Sequence, residues 1–196
     1  HGWEHEFLWD LEGEDGFREH LRRTEEAIEA AGVPRPVGFR ASTFTLTRET
    51  WWAFDVLAER GYLYDSSVHP VRHPTYGVPD FEPGISTVET KRGSIVEFPV
   101  TTFPFVGKNL PIGGGGYFRL LPGAIHRAAI AKVTRMGRPV AIYLHPWEFD
   151  PGQPRIAAPP LKKFRHYVGL GRSFDRLDRL LQRWTFGTMR EVLEGA

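Results

Sequence analysis

The sequence predicts an α/β domain with parallel strands, and three observations carry that prediction. From residue 17 to residue 65 helix-like and strand-like segments alternate with short connections, the pattern that lays successive strands side by side. The strand-like runs are short and apolar, as strands covered on both faces are. The chain has 196 residues, 41% of them hydrophobic, which suits one globular core.

In order, FREHLRRTEEAIEAA (17–31) places Phe17, Leu21, Ile28 and Ala31 on one helical face, and Gly32, Pro34 and Pro36 stop the run. VGFR (37–40) reads as a strand. Thr47 to Arg60 reads as a second helix that buries Trp51, Phe54 and Leu57 and is closed by Gly61, and YLYD (62–65) is the next strand. From Ser66 to Ser94, Pro70, Pro74, Pro79 and Pro83 break any regular run, so this long segment reads as loop. IVEFPV (95–100) is strand-like, GGGG (113–116) a loop, 122–136 a helix, and PVAIYL (139–144) the most strand-like run of all. No linker, repeat or low-complexity tract interrupts the chain, so residues 1–196 are expected to form a single domain with an amphipathic helical tail over 159–196.

Composition excludes several classes of function. Lys and Arg number 25 against 24 Asp and Glu, a formal charge of +1, so nothing global attracts nucleic acid or acidic lipid. No apolar run approaches the eighteen residues of a membrane span, and HGWEHEF is not a basic stretch before an apolar one, so a cytoplasmic protein is expected. The absence of cysteine removes thiolate metal sites and cysteine nucleophiles. Gly (21) and Pro (16) make about a fifth of the chain, above the usual roughly one-eighth, which implies many shaped loops. Oligomeric state is not legible in the sequence.

In parallel α/β folds functional groups gather where strands end at their carboxyl edge. That rule selects Arg40 after VGF, Asp65 after YLY and His145 after AIYL. A histidine between a buried strand and a Pro-Trp turn is placed for general acid-base work. His1 and His5 have the H-x-x-x-H spacing that can bring two imidazoles to one zinc ion, and so do His69 and His73. His20 and His126 lie in helical runs and read as surface residues. The four glycines lack the Lys-Ser/Thr of a phosphate loop and read as a pliable loop over a cleft.

HGWEH at the start, FRAST (39–43), YDSS (64–67) and YLHPWEFDP (143–151) resemble, in order, four motifs of the NodB-homology polysaccharide deacetylases, carbohydrate esterase family 4. RHPTYG, EFPVTT, GGGGYFRLLP and FRHYVGL resemble the branch found beside exosortase-type exopolysaccharide clusters. The resemblance implies a distorted (β/α) barrel, a divalent metal, most often zinc, and removal of N-acetyl groups from an amino-sugar polysaccharide or oligosaccharide. It makes His1 and His5 the metal-binding histidines, Arg40 the arginine that orients the catalytic base, and His145 the acid that protonates the leaving amine. Leu144 then lines the acetyl pocket, and Asp65 holds the tautomer of His145; apart from the resemblance, the aromatic residues Tyr117, Phe118 and Trp147 read as surfaces that stack on sugars.

The family's first motif supplies the third metal ligand and the general base from a strand upstream of the histidine pair, and no residue precedes His1 here. A barrel lacking its first strand-helix units is therefore expected, with Glu12, Glu14 and Asp15 as the nearest substitute acids. Ser42 stands where the family has proline. An inactive glycan-binding remnant and an exopolysaccharide assembly protein are the alternatives in other functional classes.

Overall fold

The computed structural model describes residues 1–195, which form two compact units, residues 1–100 and the residues from Thr101 onward. In the first, helix α1 (Gly13–Ala30) starts earlier than its apolar face suggests, because Glu14 and Asp15 suit the positive end of the helix and both hold Arg18. Gly32, at φ +78°, follows its end as expected. Strand β1 (Gly38–Phe39) leads through a turn to helix α2 (Ala53–Glu59) and strand β2 (Tyr64–Asp65). The predicted first turn of α2 is instead tied up locally: Thr50 Oγ1 accepts from Thr47 N (2.8 Å) and donates to Thr45 O (2.7 Å).

The segment read as loop from 66 to 94 contains strand β3 (Ser86–Thr90), which forms an antiparallel hairpin with β4 (Gly93–Glu97). STVET is too polar to stand out as a strand, but its Thr87, Val88 and Thr90 are β-branched, and Val88 is buried. The sheet order is β1-β2-β4-β3, with β1, β2 and β4 parallel. Phe17 and Leu21 of α1 and Phe54, Val56 and Leu57 of α2 pack with Phe39, Tyr62 and Ile95 into its core. Phe17 meets Phe39 at 5.3 Å between ring centres, near edge-on.

The second unit begins with an antiparallel ribbon, β5 (Thr102–Phe105) and β6 (Lys108–Pro111). Helices α3 (Gly115–Leu120) and α4 (Gly123–Arg135) follow, then α5 (Pro160–Tyr167), α6 (Ser173–Leu181) and α7 (Met189–Glu194) in the predicted helical tail. Ile112, Phe118, Ile130, Val133 and Leu180 form its core. PVAIYL is not a strand among the described residues. Its pairing among the described residues is a single parallel bridge, Gly114 to Tyr143, because the segment beside it turns into α3 at Gly115. The glycine run is correspondingly no pliable loop: a Cβ on Gly113 would strike Ala141 O, on Gly114 the Tyr143 ring, and on Gly115 the Glu148 carboxylate. Close approach, not flexibility, is what glycine supplies here.

Mixed α/β architecture is thus observed, with small sheets: four strands in one and two in the other. These pairings do not close a barrel. No described helix is long and apolar enough to cross a membrane.

Candidate functional site

Because β1, β2 and β4 run parallel and in register, Phe39, Asp65 and Glu97 are neighbours at their carboxyl ends, and Arg40 is the next residue out. Asp65 is fully buried and accepts from Ser67 N (2.9 Å) and Ser67 Oγ (2.7 Å). Glu97, equally buried and opposite Asp65 in the register, accepts from Val68 N at 2.9 Å through Oε1, while its Oε2 meets no hydrogen-bond partner among the described residues. Neighbouring buried carboxyl groups resist being charged together. Burial raises both pKa values, and Asp65 pushes Glu97 further, well above the carboxylate range, whereas Ser67 and Arg40 favour the charged form of Asp65. Of the two, Glu97 is pushed further toward its neutral form. Arg40 is held by Ser66, donating through Nε to the carbonyl (2.8 Å) and through Nη2 to the hydroxyl (2.7 Å).

Sequence reasoning missed Glu97, although the rule that selects Arg40 and Asp65 also selects it. The strand was read through Val100, but it ends at Glu97.

His1 and His5 come together, with ring centres 5.3 Å apart and planes tilted by 53°. Two imidazoles on one tetrahedral ion at about 2.0–2.1 Å hold their ring centres roughly 5 Å apart, so the pair has the spacing of a chelate. The approach depends on Gly2 at φ +80° and on His5 at φ +63°, a left-handed conformation that costs a non-glycine residue about 1–2 kcal/mol. Ser42 Oγ, two residues beyond Arg40, donates to His1 O at 3.3 Å, which ties the start of the segment to the turn after β1.

His20, expected on the surface, is buried and docks this segment. Its Nε2 accepts from Trp3 N (2.7 Å) and its Nδ1 faces Glu6 Oε2 (3.0 Å), so the ring is protonated at Nδ1. No group of three or more His, Cys, Asp or Glu is gathered to hold an ion among the described residues. Glu14 and Asp15 are paired with Arg18 and so are not drawn to the histidines. The other H-x-x-x-H pair belongs to an aromatic stack: Tyr76 lies parallel to His69 (5.6 Å) and to His73 (3.8 Å), with Phe44 edge-on to His69.

In the second unit His145 precedes a single helical turn, Pro146–Phe149. Its side chain is 54% exposed, and Glu148 Oε1 lies 3.1 Å from both its backbone N and its Nδ1. Glu148 is buried, with Oε2 accepting from Arg119 Nε at 2.8 Å. Arg119, also buried, donates through Nη1 to the carbonyls of His166 (2.8 Å) and Val168 (2.9 Å). The chain of contacts thus runs His145–Glu148–Arg119 inside one unit.

Trp147 lies flat on His166 at 4.4 Å, with the Arg119 guanidinium 5.0 Å from its ring centre. Leu144 is half-buried against the second core, and Tyr117 is exposed. Phe118 corrects an expectation: it is buried in the core, edge-on to His126 at 5.6 Å, and has no face for a sugar. His126, also expected outside, is buried with Nε2 2.9 Å from Ile112 O.

Residues 66–194 match the family described as a domain of unknown function, DUF3473. A crystal structure from Mycobacterium smegmatis, of a protein provisionally named a polysaccharide deacetylase, is similar at a TM-score of 0.53 and 26% sequence identity. The match covers 96% of this chain and 64% of that one, so this chain spans less than two thirds of that protein's length. No curated protein matches.

Proposed function

The chain belongs to the DUF3473 family, and on that premise, with its polysaccharide-deacetylase-like fold, we propose that it is a metal-dependent hydrolase that removes N-acetyl groups from an amino-sugar polysaccharide. The distorted barrel and a role in exopolysaccharide modification belong to the same proposal. The observation that carries it is the pairing of His1 with His5 at chelate spacing, on a segment that Ser42 ties to the turn after Arg40, in a fold of this likeness.

His1 and His5 would hold a divalent ion such as zinc, which when bound would polarise the acetyl carbonyl and lower the pKa of its water. Arg40, fixed by two hydrogen bonds to Ser66, presents a positive charge at the strand edge that favours a carboxylate there. His145 gives the proton that the sugar nitrogen needs to leave as an amine. Its exposed ring has no partner at Nε2 among the described residues, so that nitrogen is available to a substrate. Tyr117 and Trp147 offer aromatic surface to sugar rings.

The test is acetate release from N-acetylated chito-oligosaccharides by the natural full-length protein and its His145→Ala variant. The variant should lose kcat by roughly 10² to 10⁴, the usual worth of acid-base catalysis, with KM changed far less. An unaffected variant contradicts the role of His145. Glycan binding with no acetate release by the parent favours the binding-remnant reading.

A further inference from the structure

We infer that Glu148, anchored by Arg119, is the positioning residue that fixes the proton on Nδ1 of His145 and leaves Nε2 as the working nitrogen. This rests on the reading of His145 as the acid of the deacetylation.

A carboxylate oxygen only accepts hydrogen bonds. Glu148 Oε1 receives the backbone N–H of His145 and lies at the same 3.1 Å from its Nδ1, so Nδ1 must be the protonated nitrogen. The orientation of Glu148 is itself determined. Arg119 Nε donates to the other oxygen, Arg119 is locked by backbone carbonyls, and the bare Cα of Gly115 leaves room for the carboxylate where any Cβ would collide with it. An acid, a base-holding partner and a buried guanidinium in series constitute the outer-partner arrangement that sets histidine tautomers at functional sites.

In the reaction this assigns one path to the proton. Water oxygen bonds to the acetyl carbon, the C–N bond breaks, and the nitrogen takes the proton from Nε2 of the imidazolium; acetate and a free amine separate, and the two protons of the attacking water pass to solvent, one of them later recharging His145. His145 is left neutral, with the proton still on Nδ1 and donated as a hydrogen bond to Glu148. While the ring is charged, the buried carboxylate faces it and stabilises it.

A role confined to capping the 146–149 turn predicts no change in tautomer, so the tautomer decides. The measurement is long-range ¹⁵N–¹H correlation NMR of His145 with the ring neutral, in the parent, Glu148→Gln and Glu148→Asp. In the glutamine variant Arg119 draws the amide oxygen, and the amide NH₂ then faces Nδ1, which must accept. The parent should be protonated mainly at Nδ1, Glu148→Gln mainly at Nε2, and Glu148→Asp should return to the parent form. Acetate release by Glu148→Gln in the full-length protein should show kcat at least about tenfold lower with KM little changed. A parent protonated mainly at Nε2, or a tautomer unmoved by Glu148→Gln, overturns the inference and leaves the deacetylase reading standing. A normal tautomer switch together with a fully active His145→Ala overturns the deacetylase role of His145 instead.

Discussion

Among the described residues His69 has no hydrogen-bond partner at either ring nitrogen, in a pocket walled by Phe44 and Tyr76. Burial, and secondarily the charge of His73, lowers its pKa to about 4 from an unfolded value near 6.5. The unfolded chain therefore binds the proton first. Stability from this site is whole above pH 6.5, falls as pH drops through the interval to 4, and is then down by about 3 kcal/mol. His69→Phe keeps the aromatic contacts and removes the titration. Urea midpoints at pH 7 and pH 4.5 should show a smaller acid loss in the variant than in the parent; equal losses would contradict the burial of a neutral ring. Glu97 works in the opposite sense, because its raised pKa adds stability that is lost as pH rises through the folded value. His20 and His126 were also legible at this scale. Phe17, His20 and Leu21 are spaced i, i+3, i+4, as are His126, Ala129 and Ile130, so both histidines lie on the apolar stripe of their helix.

Two short elements hold the candidate groups, and each makes a prediction. The segment 1–6 is docked by His20 through Trp3 N and Glu6, and a side chain on Gly2 would collide with the His20 ring. His20→Ala should weaken zinc binding by about tenfold or more in calorimetric titration, with an N-terminal extension present so that the free amino group does not chelate. His69→Ala should leave it unchanged. Reversal of that order would mean that the wrong histidine pair has been chosen. At the start of α3, Gly115→Ala should displace Glu148 from Arg119 and destabilise the protein by about 3–5 kcal/mol, the cost of breaking a buried pair. Gly116→Ala, with open space around its Cβ, should be neutral or stabilising by up to roughly 1 kcal/mol. Equal effects in thermal melts would refute the close-packing account. Strand ends were readable here because parallel strands align them. The glycine run was not, since four glycines look the same in a flexible loop and in a tight approach of two chains.

For the whole molecule, alternation of helix and strand correctly indicated mixed α/β architecture, and the tail was helical as its amphipathicity required. PVAIYL misled because apolar, β-branched residues describe a buried extended segment whether or not a partner strand continues beside it. Strand ends select Arg40 and Asp65, whereas the H-x-x-x-H spacing offers His1 with His5 and His69 with His73 alike, and only the resemblance chooses between those pairs. Glu148, by contrast, was hidden inside a motif whose histidine drew the attention. The central claim is metal-dependent deacetylation, and the most direct measurement is acetate release from N-acetylated chito-oligosaccharides by the full-length protein. It is run after removal of metal, after zinc is restored, and in a His5→Ala variant. Release that vanishes on stripping, returns with zinc and stays low in His5→Ala is the predicted result, whereas release indifferent to zinc and to His5 would contradict the account.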